Sequence, residues 1–325
     1  MKKKGSGGKL NRAERRAGLL FIAPIYLQFI VFFLFFLGYA IVMSLTNWNI
    51  LYDTRDFIGL ENFVTVLTDP LFWKSMGNTL FLMIGIPIGM VLAMLAALAL
   101  NRKMVGKTFY RVILYLPAVS STVAIALLWR MIFNAETGVV NLLLQQAGDY
   151  LGNFINWINV ANVEALGQLA QKLIDLQGPR WLNDPVMLKV TLIILGVWRG
   201  AGNTMLLFLA GLQNISKEYY EVVDVFGGNS LHKLRYVTLP MMTPTYFYVI
   251  ITGVIGGLQA FGDQFIIAPG NYDSMTVVYY LWETGMTNYN MGGACAVALI
   301  LSAIIFVVTL IQFKISKNWV YDGSH

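Results

Sequence analysis

Two side chains of opposite charge, Arg199 and Asp263, lie within long apolar runs of the sequence. A charge at the centre of a membrane-spanning helix costs about 2.5–3.5 kcal/mol of insertion free energy, so each side chain must face protein or water. Facing water, the two groups would line a polar pathway through the membrane. Facing each other, or at the outer membrane interface, they would be structural. Residue type alone leaves both interpretations open.

Polar and aromatic residues accompany these two charges. Aromatic rings and amide groups can stack on and hydrogen-bond a sugar, but joining membrane helices to one another is their commoner use. The candidate residues for a substrate pathway are Trp198, Arg199, Asn203, Gln259, Phe261, Asp263 and Gln264.

The sequence lacks the patterns of the common catalytic and metal sites. Its only histidines are His232 and His325, and its single cysteine, Cys295, lies in an apolar run, so an intrachain disulfide is impossible. The GSGGKL segment near the N-terminus does not have the spacing of a phosphate-binding loop. We therefore expect no catalytic residue, no metal site and no cofactor bound by this chain.

Composition indicates an all-α polytopic membrane protein. The 325 residues are 57% hydrophobic and only 12% charged, with a mean hydropathy of +0.62, which is too apolar for a soluble globular domain. Runs of about 20 apolar residues are long enough to cross a bilayer. Six such runs are predicted at Ala17–Leu45, Asn78–Leu100, Val112–Phe133, Met187–Leu212, Met241–Ile267 and Met291–Phe313.

Basic residues predict the orientation of these spans. Lys and Arg number seven in the N-terminal tail, four between Arg102 and Arg111, three between Lys217 and Arg235 and two in the C-terminal tail. These segments alternate with less basic loops, so both termini are predicted to be cytoplasmic. The net charge is +6, but the basic residues lie beside membrane spans, so this charge does not indicate binding to nucleic acid.

The predicted domain organisation has three parts. Residues 1–16 form a flexible cytoplasmic tail, 17–313 a transmembrane domain and 314–325 a second cytoplasmic tail. Within the domain, 134–186 is predicted to be an extracellular helical insert that either docks an external partner or forms a passive lid. Pro87 and Pro117 predict helix kinks. The insert has one helical stripe, composed of Val163, Leu166, Leu169, Leu173 and Leu176, with Asn162 as its cap.

The polar stretch from Ile215 to Pro240 separates two apolar runs. Ser216 is a suitable cap for a short amphipathic helix, and Gly227 with Gly228 would end it. A second short helix is expected after Asn229 or Ser230 and is expected to stop at Pro240. The apolar stripe of the first helix comprises Ile215, Tyr219, Val222, Val223 and Phe226.

This stretch resembles the EAA loop of ABC importer permeases. Glu221, Gly227, Val237, Leu239 and Pro240 match that pattern by position. Elsewhere the chain is similar to the carbohydrate-uptake branch, which includes the maltose and glycerol-phosphate permeases. At four positions it departs from the EAA pattern: Val222 and Val223 replace alanines, Phe226 stands where Asp is common, and Gly228 takes an Ala position. The segments that carry the wider resemblance are Phe57–Phe63, Gly77–Leu80, Leu116-Pro117, Gly138–Leu143, Trp181–Pro185, Ala210–Gln213 and Met291–Gly293.

The resemblance implies a type I importer fold with six transmembrane helices in a bacterial cell membrane. It also implies a second permease subunit, two ATPase subunits that bind ATP and magnesium, an extracellular solute-binding protein and a carbohydrate substrate, either an oligosaccharide or a sugar derivative. The loop at 214–240 would couple the ATPase to transport. The implied coupling residues are Tyr219, Glu221, Val222, Val223, Phe226, Gly227 and Gly228.

The residues leave two alternatives to an ATP-driven importer. An ion-gradient-driven secondary transporter of a small polar solute would usually carry several intramembrane acids, whereas Asp263 stands almost alone. A membrane-bound enzyme or scaffold is the other. The amphipathic helix could also lie on lipid, but its polar face is acidic and anionic lipid would repel it.

Overall fold

The computed structural model describes residues 12–52, 55–102, 104–158, 164–174 and 178–321. The described residues are 78% helical, and they form no strand beyond isolated bridges between Thr46 and Phe57 and between Asn49 and Asn290. The all-α prediction is thus confirmed. In chain order the helices are α1 Arg12–Phe29, α2 Phe35–Ser44, α3 Glu61–Thr68, α4 Pro70–Leu82, α5 Gly85–Asn101, α6 Lys107–Val119, α7 Thr122–Ile132, α8 Val139–Ile158, α9 Glu164–Ile174, α10 Pro185–Gln213, α11 Lys217–Val225, α12 Ser230–Lys233, α13 Leu239–Met241, α14 Thr243–Leu258, α15 Gly262–Ile267, α16 Val277–Trp282 and α17 Met291–Ser316.

Among the described residues, four helical segments are long and apolar enough to cross a membrane, and two bent helix pairs would raise that number to six. The four are Leu19–Ser44, Pro70–Asn101, Pro185–Gln213 and Met291–Ser316; the bent pairs are Lys107–Val119 with Thr122–Ile132, at 95°, and Ser230–Met241 with Thr243–Leu258, at 58°. Each overlaps one of the six predicted apolar runs.

Three predicted boundaries were wrong. The third apolar run is interrupted after Pro117, where Ser120 is extended and Ser121 caps a new helix. The fifth ends at Leu258, and α15 is a separate short helix. The helix that was expected to stop at Pro240 continues to Met241, because a π-helical turn at 234–238 widens the backbone and the Leu239 amide donates to the Leu234 carbonyl.

The chain divides into two compact units. The first comprises Met1–Thr68 and Glu283–Ile300. In it the buried amide of Asn62 donates to the carbonyls of Ser44 and Thr46, both at 2.8 Å, which fixes the end of α2 against α3. No residue in the most apolar window of Leu19–Ser44 is buried by the described chain.

The second unit comprises Asp69–Trp282 and Leu301–His325, and α10 is its central helix. The small residues Ala93 and Ala97 of α5 are fully buried and permit close packing against Met205 and Phe208 of α10. Near its N-terminus, α10 packs through Leu188 and other residues in a cluster that includes residues of α7 and α15. One continuous helix therefore positions groups from several elements.

The predicted insert contains the helix pair α8 and α9. A Cβ at Gly152 would lie only 2.5 Å from Cγ1 of Ile174, so the two helices pack closely there. Leu166 and Leu169 of the predicted stripe are exposed, and Ala170 is buried instead. Asn162, Val163 and Leu176 lie outside the described residues, as do 1–11 and 322–325 of the predicted tails.

Candidate functional site: a polar cavity on α10 and the loop that follows it

A cavity of about 470 Å³ lies between α5, α10, α14 and α15. This volume is within the range of small-molecule sites, about 300–1,000 Å³. Apolar residues form most of its wall, and glycines open part of it: a Cβ at Gly196, Gly200 or Gly256 would meet nothing within 4 Å. The polar lining residues are Arg199, Asn203, Thr204, Thr252, Asp263 and Gln264.

Arg199 and Asp263 form a two-pronged ion pair in this cavity. Nη1 donates to Oδ1 at 2.6 Å and Nη2 donates to Oδ2 at 2.7 Å. Their side chains are 29% and 13% exposed. The contact between Arg199 and Asp263, which the sequence alone could not establish, is therefore present. Because a guanidinium has five N–H donors and the carboxylate takes two, three remain for another molecule while the charge is balanced.

Gln264 supplies an acceptor beside the ion pair. It is only 6% exposed, and its Oε1 is buried without a hydrogen-bond partner among the described residues. A buried polar atom without a partner is uncommon in native proteins and calls for an explanation. Because this oxygen is shielded from solvent in the structure, a molecule in the cavity could donate to it only after the side chain reorients.

The structure separates the remaining predicted pathway residues. Asn203 lines the polar cavity with Arg199, since residues four apart share a helix face. Trp198 points to another face of α10, where it lines an apolar cavity and lies 5.7 Å from the ring of Trp129. Gln259 is an exposed cap of α14. Phe261 packs in an aromatic cluster whose other members are Phe265, Tyr279 and Trp282.

The loop after α10 contains the predicted amphipathic helix as α11. Ser216 caps its start by accepting from the Glu218 amide at 3.4 Å. At its end the Gly227 amide donates to the Asp224 carbonyl at 2.9 Å and the Gly228 amide to the Val223 carbonyl at 2.8 Å. With φ at +72° for Gly227, these bonds form a Schellman motif. The predicted cap and glycine end are confirmed.

The apolar residues of α11 divide between two faces. Val223 and Tyr220 pack against the core cluster at the end of α10, and the Tyr220 hydroxyl lies 3.1 Å from Oγ1 of Thr238. Tyr219 is exposed. A shallow groove on the exposed side is lined by Glu218, Glu221, Val222, Val225 and Phe226. The prediction that Val223 shares one stripe with Phe226 was therefore wrong, because the core takes Val223, and the sequence reasoning missed Val225 and Tyr220.

Comparisons with known proteins identify the family. Residues 85–320 match the family described as the binding-protein-dependent transport system inner membrane component. The chain belongs to this family. It is 32% identical to the probable ABC transporter permease protein YesP of Bacillus subtilis, over 96% of this chain and 94% of that protein. It is 31% identical to the arabinooligosaccharides transport system permease protein AraP of the same organism, over 96% and 92%. It is 29% identical to the lactose transport system permease protein LacF of Rhizobium radiobacter, over 96% and 98%.

A solved structure has the same fold as this permease. It is the crystal structure of a bacterial ABC transporter involved in the import of the acidic polysaccharide alginate, with a TM-score of 0.74, 22% identity and coverage of 94% of this chain and 96% of that chain. The permease is a multi-pass membrane protein, and its sequence relatives are sugar ABC transporter permeases.

Polar contacts within the permease hold α11 to α12. Lys233 pairs with Asp224 at 2.6 Å. Asn229 caps α12 through the His232 amide at 3.1 Å, and the His232 ring returns a contact to the Asn229 amide at 3.2 Å. His232 therefore has a local structural role. The described residues include no group of three or more His, Cys, Asp or Glu side chains placed to hold a metal ion.

Val223 and Gly228 depart from the alanines of the EAA pattern, and the two residues are neighbours in the structure. A Cβ at Gly228 would lie 2.4 Å from Cγ1 of Val223. Gly228→Ala is therefore expected to disturb the end of α11 and lower transport activity. The double variant Val223→Ala, Gly228→Ala removes the contact with Cγ1 but leaves the carbonyl oxygen of residue 223 2.9 Å from the new Cβ, so it is expected to restore only part of the uptake. Equal uptake by Gly228→Ala and the parent chain would show that this contact does not matter.

Proposed function

We propose that this chain is the transmembrane permease subunit of an ATP-driven carbohydrate importer. The single observation that carries the proposal is the polar cavity, with its balanced ion pair, inside a member of the inner membrane component family. Relatives named for arabinooligosaccharides and lactose support a carbohydrate. The cavity would form this chain's part of the pathway, and a second permease would supply the rest.

The chemistry of the cavity favours an uncharged sugar. A sugar hydroxyl both donates and accepts hydrogen bonds, so it can accept from the remaining Arg199 donors. An acidic sugar would require a basic side chain in the cavity whose charge is not already paired. Arg199 is the one Lys or Arg among the described lining residues, and its charge is already paired. We therefore propose a neutral oligosaccharide or neutral sugar derivative.

The proposed topology is a type I importer permease with six transmembrane helices, in which each bent pair counts as one span. The distribution of Lys and Arg supports cytoplasmic termini, an extracellular insert at 134–186 and a cytoplasmic coupling loop at 214–240. We retain 1–16, 17–313 and 314–325 as the boundaries of the tails and the transmembrane domain.

In the proposed mechanism, the exposed groove face of α11 docks on an ATPase subunit. Val222, Val225 and Phe226 would enter an apolar groove of the partner, as amphipathic helices commonly do. On the other face, Tyr220 and Val223 contact residues that continue into the membrane helices, so a displacement of α11 would move those helices. Two ATPases would bind ATP and magnesium, and an extracellular solute-binding protein would deliver the sugar.

Reconstitution tests this proposal. The chain should co-purify with a second permease and an ATPase, and proteoliposomes should accumulate a neutral oligosaccharide only with internal ATP and the solute-binding protein. A catalytically inactive ATPase variant is the matched control. Uptake that persists without ATP and disappears when the ion gradient is collapsed would identify a secondary transporter instead. Chemical turnover by the purified chain alone would support an enzyme.

A further inference from the structure

Helix α8 has an uncovered apolar stripe on the side opposite its partner helix. Its inner face packs on α9, where Gly148 and Gly152 are buried. Tyr150 and Trp157 on the outer side are 77% and 76% exposed, and five neighbours are also exposed. The residues of this outer stripe are Val139, Leu143, Tyr150, Leu151, Phe154, Trp157 and Ile158, which recur at the three- and four-residue spacing of one helix face.

The start of α8 is held at the end of α7. The Asn134 side-chain oxygen accepts from the amides of Glu136 and Thr137 at 2.9 and 3.0 Å. The Gly138 amide donates to the Asn134 carbonyl at 3.1 Å. These hydrogen bonds form a tight turn, so the connection between α7 and α8 is short. Because α7 belongs to a candidate membrane span, α8 must begin where that span ends.

Exposed apolar residues lie on both sides of this turn. Leu127, Leu128 and Met131 of α7 are exposed, and a groove joins α7 to Val139, the first residue of α8; Arg130, Asn134 and Thr137 also line it. In a membrane protein the apolar exterior of a spanning helix faces lipid. The outer stripe of α8 extends that lipid-facing surface beyond the span.

We propose that α8 lies along the membrane surface with its outer stripe in the boundary between headgroups and acyl chains. The helix is about 30 Å long at 1.5 Å per residue. If it stood away from the bilayer, Phe154 and Trp157 near its far end would be in water. Trp and Tyr are enriched at membrane interfaces, where their rings have both an apolar and a polar part. Exposed Gln145, Asp149 and Asn156 lie on the polar flank and would face water.

Charge favours ordinary zwitterionic lipid over an anionic surface. Asp149 is the one charged residue of α8, so the helix has no basic residues to attract anionic headgroups. Its attachment would depend on apolar area. The proposal requires only that the chain is a membrane protein, and it holds for either side of the bilayer.

Nitroxide accessibility in the assembled transporter tests the proposal. In a Cys295→Ala background, which removes the only native thiol, single cysteines are placed by Phe154→Cys or Trp157→Cys on the stripe. Asn156→Cys on the polar flank is the matched control. In nanodiscs of phosphatidylcholine, spin labels at 154 and 157 are expected to be relaxed more by oxygen, which partitions into lipid, than by a water-soluble nickel chelate. The label at 156 should show the reverse.

Two outcomes would overturn the proposal. Stronger relaxation by nickel at 154 and 157 would place the stripe in water. Protection of both labels from oxygen and nickel would show that protein covers the stripe, and repeating the measurement without the solute-binding protein would reveal whether that protein is the cover. Neither outcome would affect ATP-driven uptake, so this test is independent of the proposed function.

Discussion

The variant Phe226→Ala is expected to lose most ATP-driven uptake while the chain remains folded. Phe226 is 86% exposed and follows the last residue of α11, so its removal leaves no cavity in this chain. An aromatic residue at the centre of an interface commonly contributes 2 kcal/mol or more to binding, which corresponds to roughly 30-fold weaker association. The measurement is ATPase binding to permease-containing nanodiscs, together with uptake at a fixed ATPase concentration.

Val105→Ala is the control for this variant, because Val105 is also exposed and lies in a loop predicted to be on the same side of the membrane. It should bind the ATPase normally. Val225→Ala, which removes another groove residue, should give a smaller loss than Phe226→Ala because less area is removed. Normal ATPase affinity of Phe226→Ala would contradict the docking role of this face.

Asp263→Asn is expected to cause the largest loss of stability among the variants considered. It leaves the partly buried Arg199 guanidinium without its balancing charge. Removing one partner of a buried ion pair typically costs about 3–5 kcal/mol of stability. Because the Arg199 side chain is 29% exposed, we expect the loss for Asp263→Asn not to exceed this range. The thermal unfolding midpoint of the purified complex should fall clearly, and uptake should fall with it.

The double variant Arg199→Gln, Asp263→Asn separates structure from transport. Both charges are removed while hydrogen-bonding groups remain, so the unfolding midpoint should recover most of its loss. Uptake should stay low, because the donors proposed for the sugar have changed. If the double variant transports with normal affinity and rate, the ion pair is only structural and the pathway lies elsewhere.

The start and end of α11 could be predicted from the sequence, whereas the face of α11 that is buried could not. Ser216 and Gly227 act on the backbone within a few residues, so the start and end of α11 follow from residue type. Val222, Val223 and Val225 are chemically alike. Which of them is buried depends on where the end of α10 and the turn around Thr238 lie, and that is a tertiary property.

In the polar cavity, too, some residue positions follow from the sequence and others depend on tertiary structure. Asn203 belongs with Arg199 because the two lie four positions apart on one helix, and the one-residue offset of Trp198 already directs it elsewhere. The positions of Gln259 and Phe261 depend on the break between α14 and α15, which the apolar run concealed. The ion pair joins residues 64 positions apart, and no local pattern could establish that contact.

The first apolar helix has a consequence for how the protein is made. Leu19–Ser44 precedes the other candidate spans in the sequence, and no residue of its most apolar window is buried by the described chain. Its many Leu, Ile, Val and Phe residues each favour insertion by about 0.3–0.6 kcal/mol near the bilayer centre. Anchoring during translation therefore does not wait for any later helix to arrive. We therefore expect membrane insertion of Leu19–Ser44 to be separable from the folding of α10 with its neighbours.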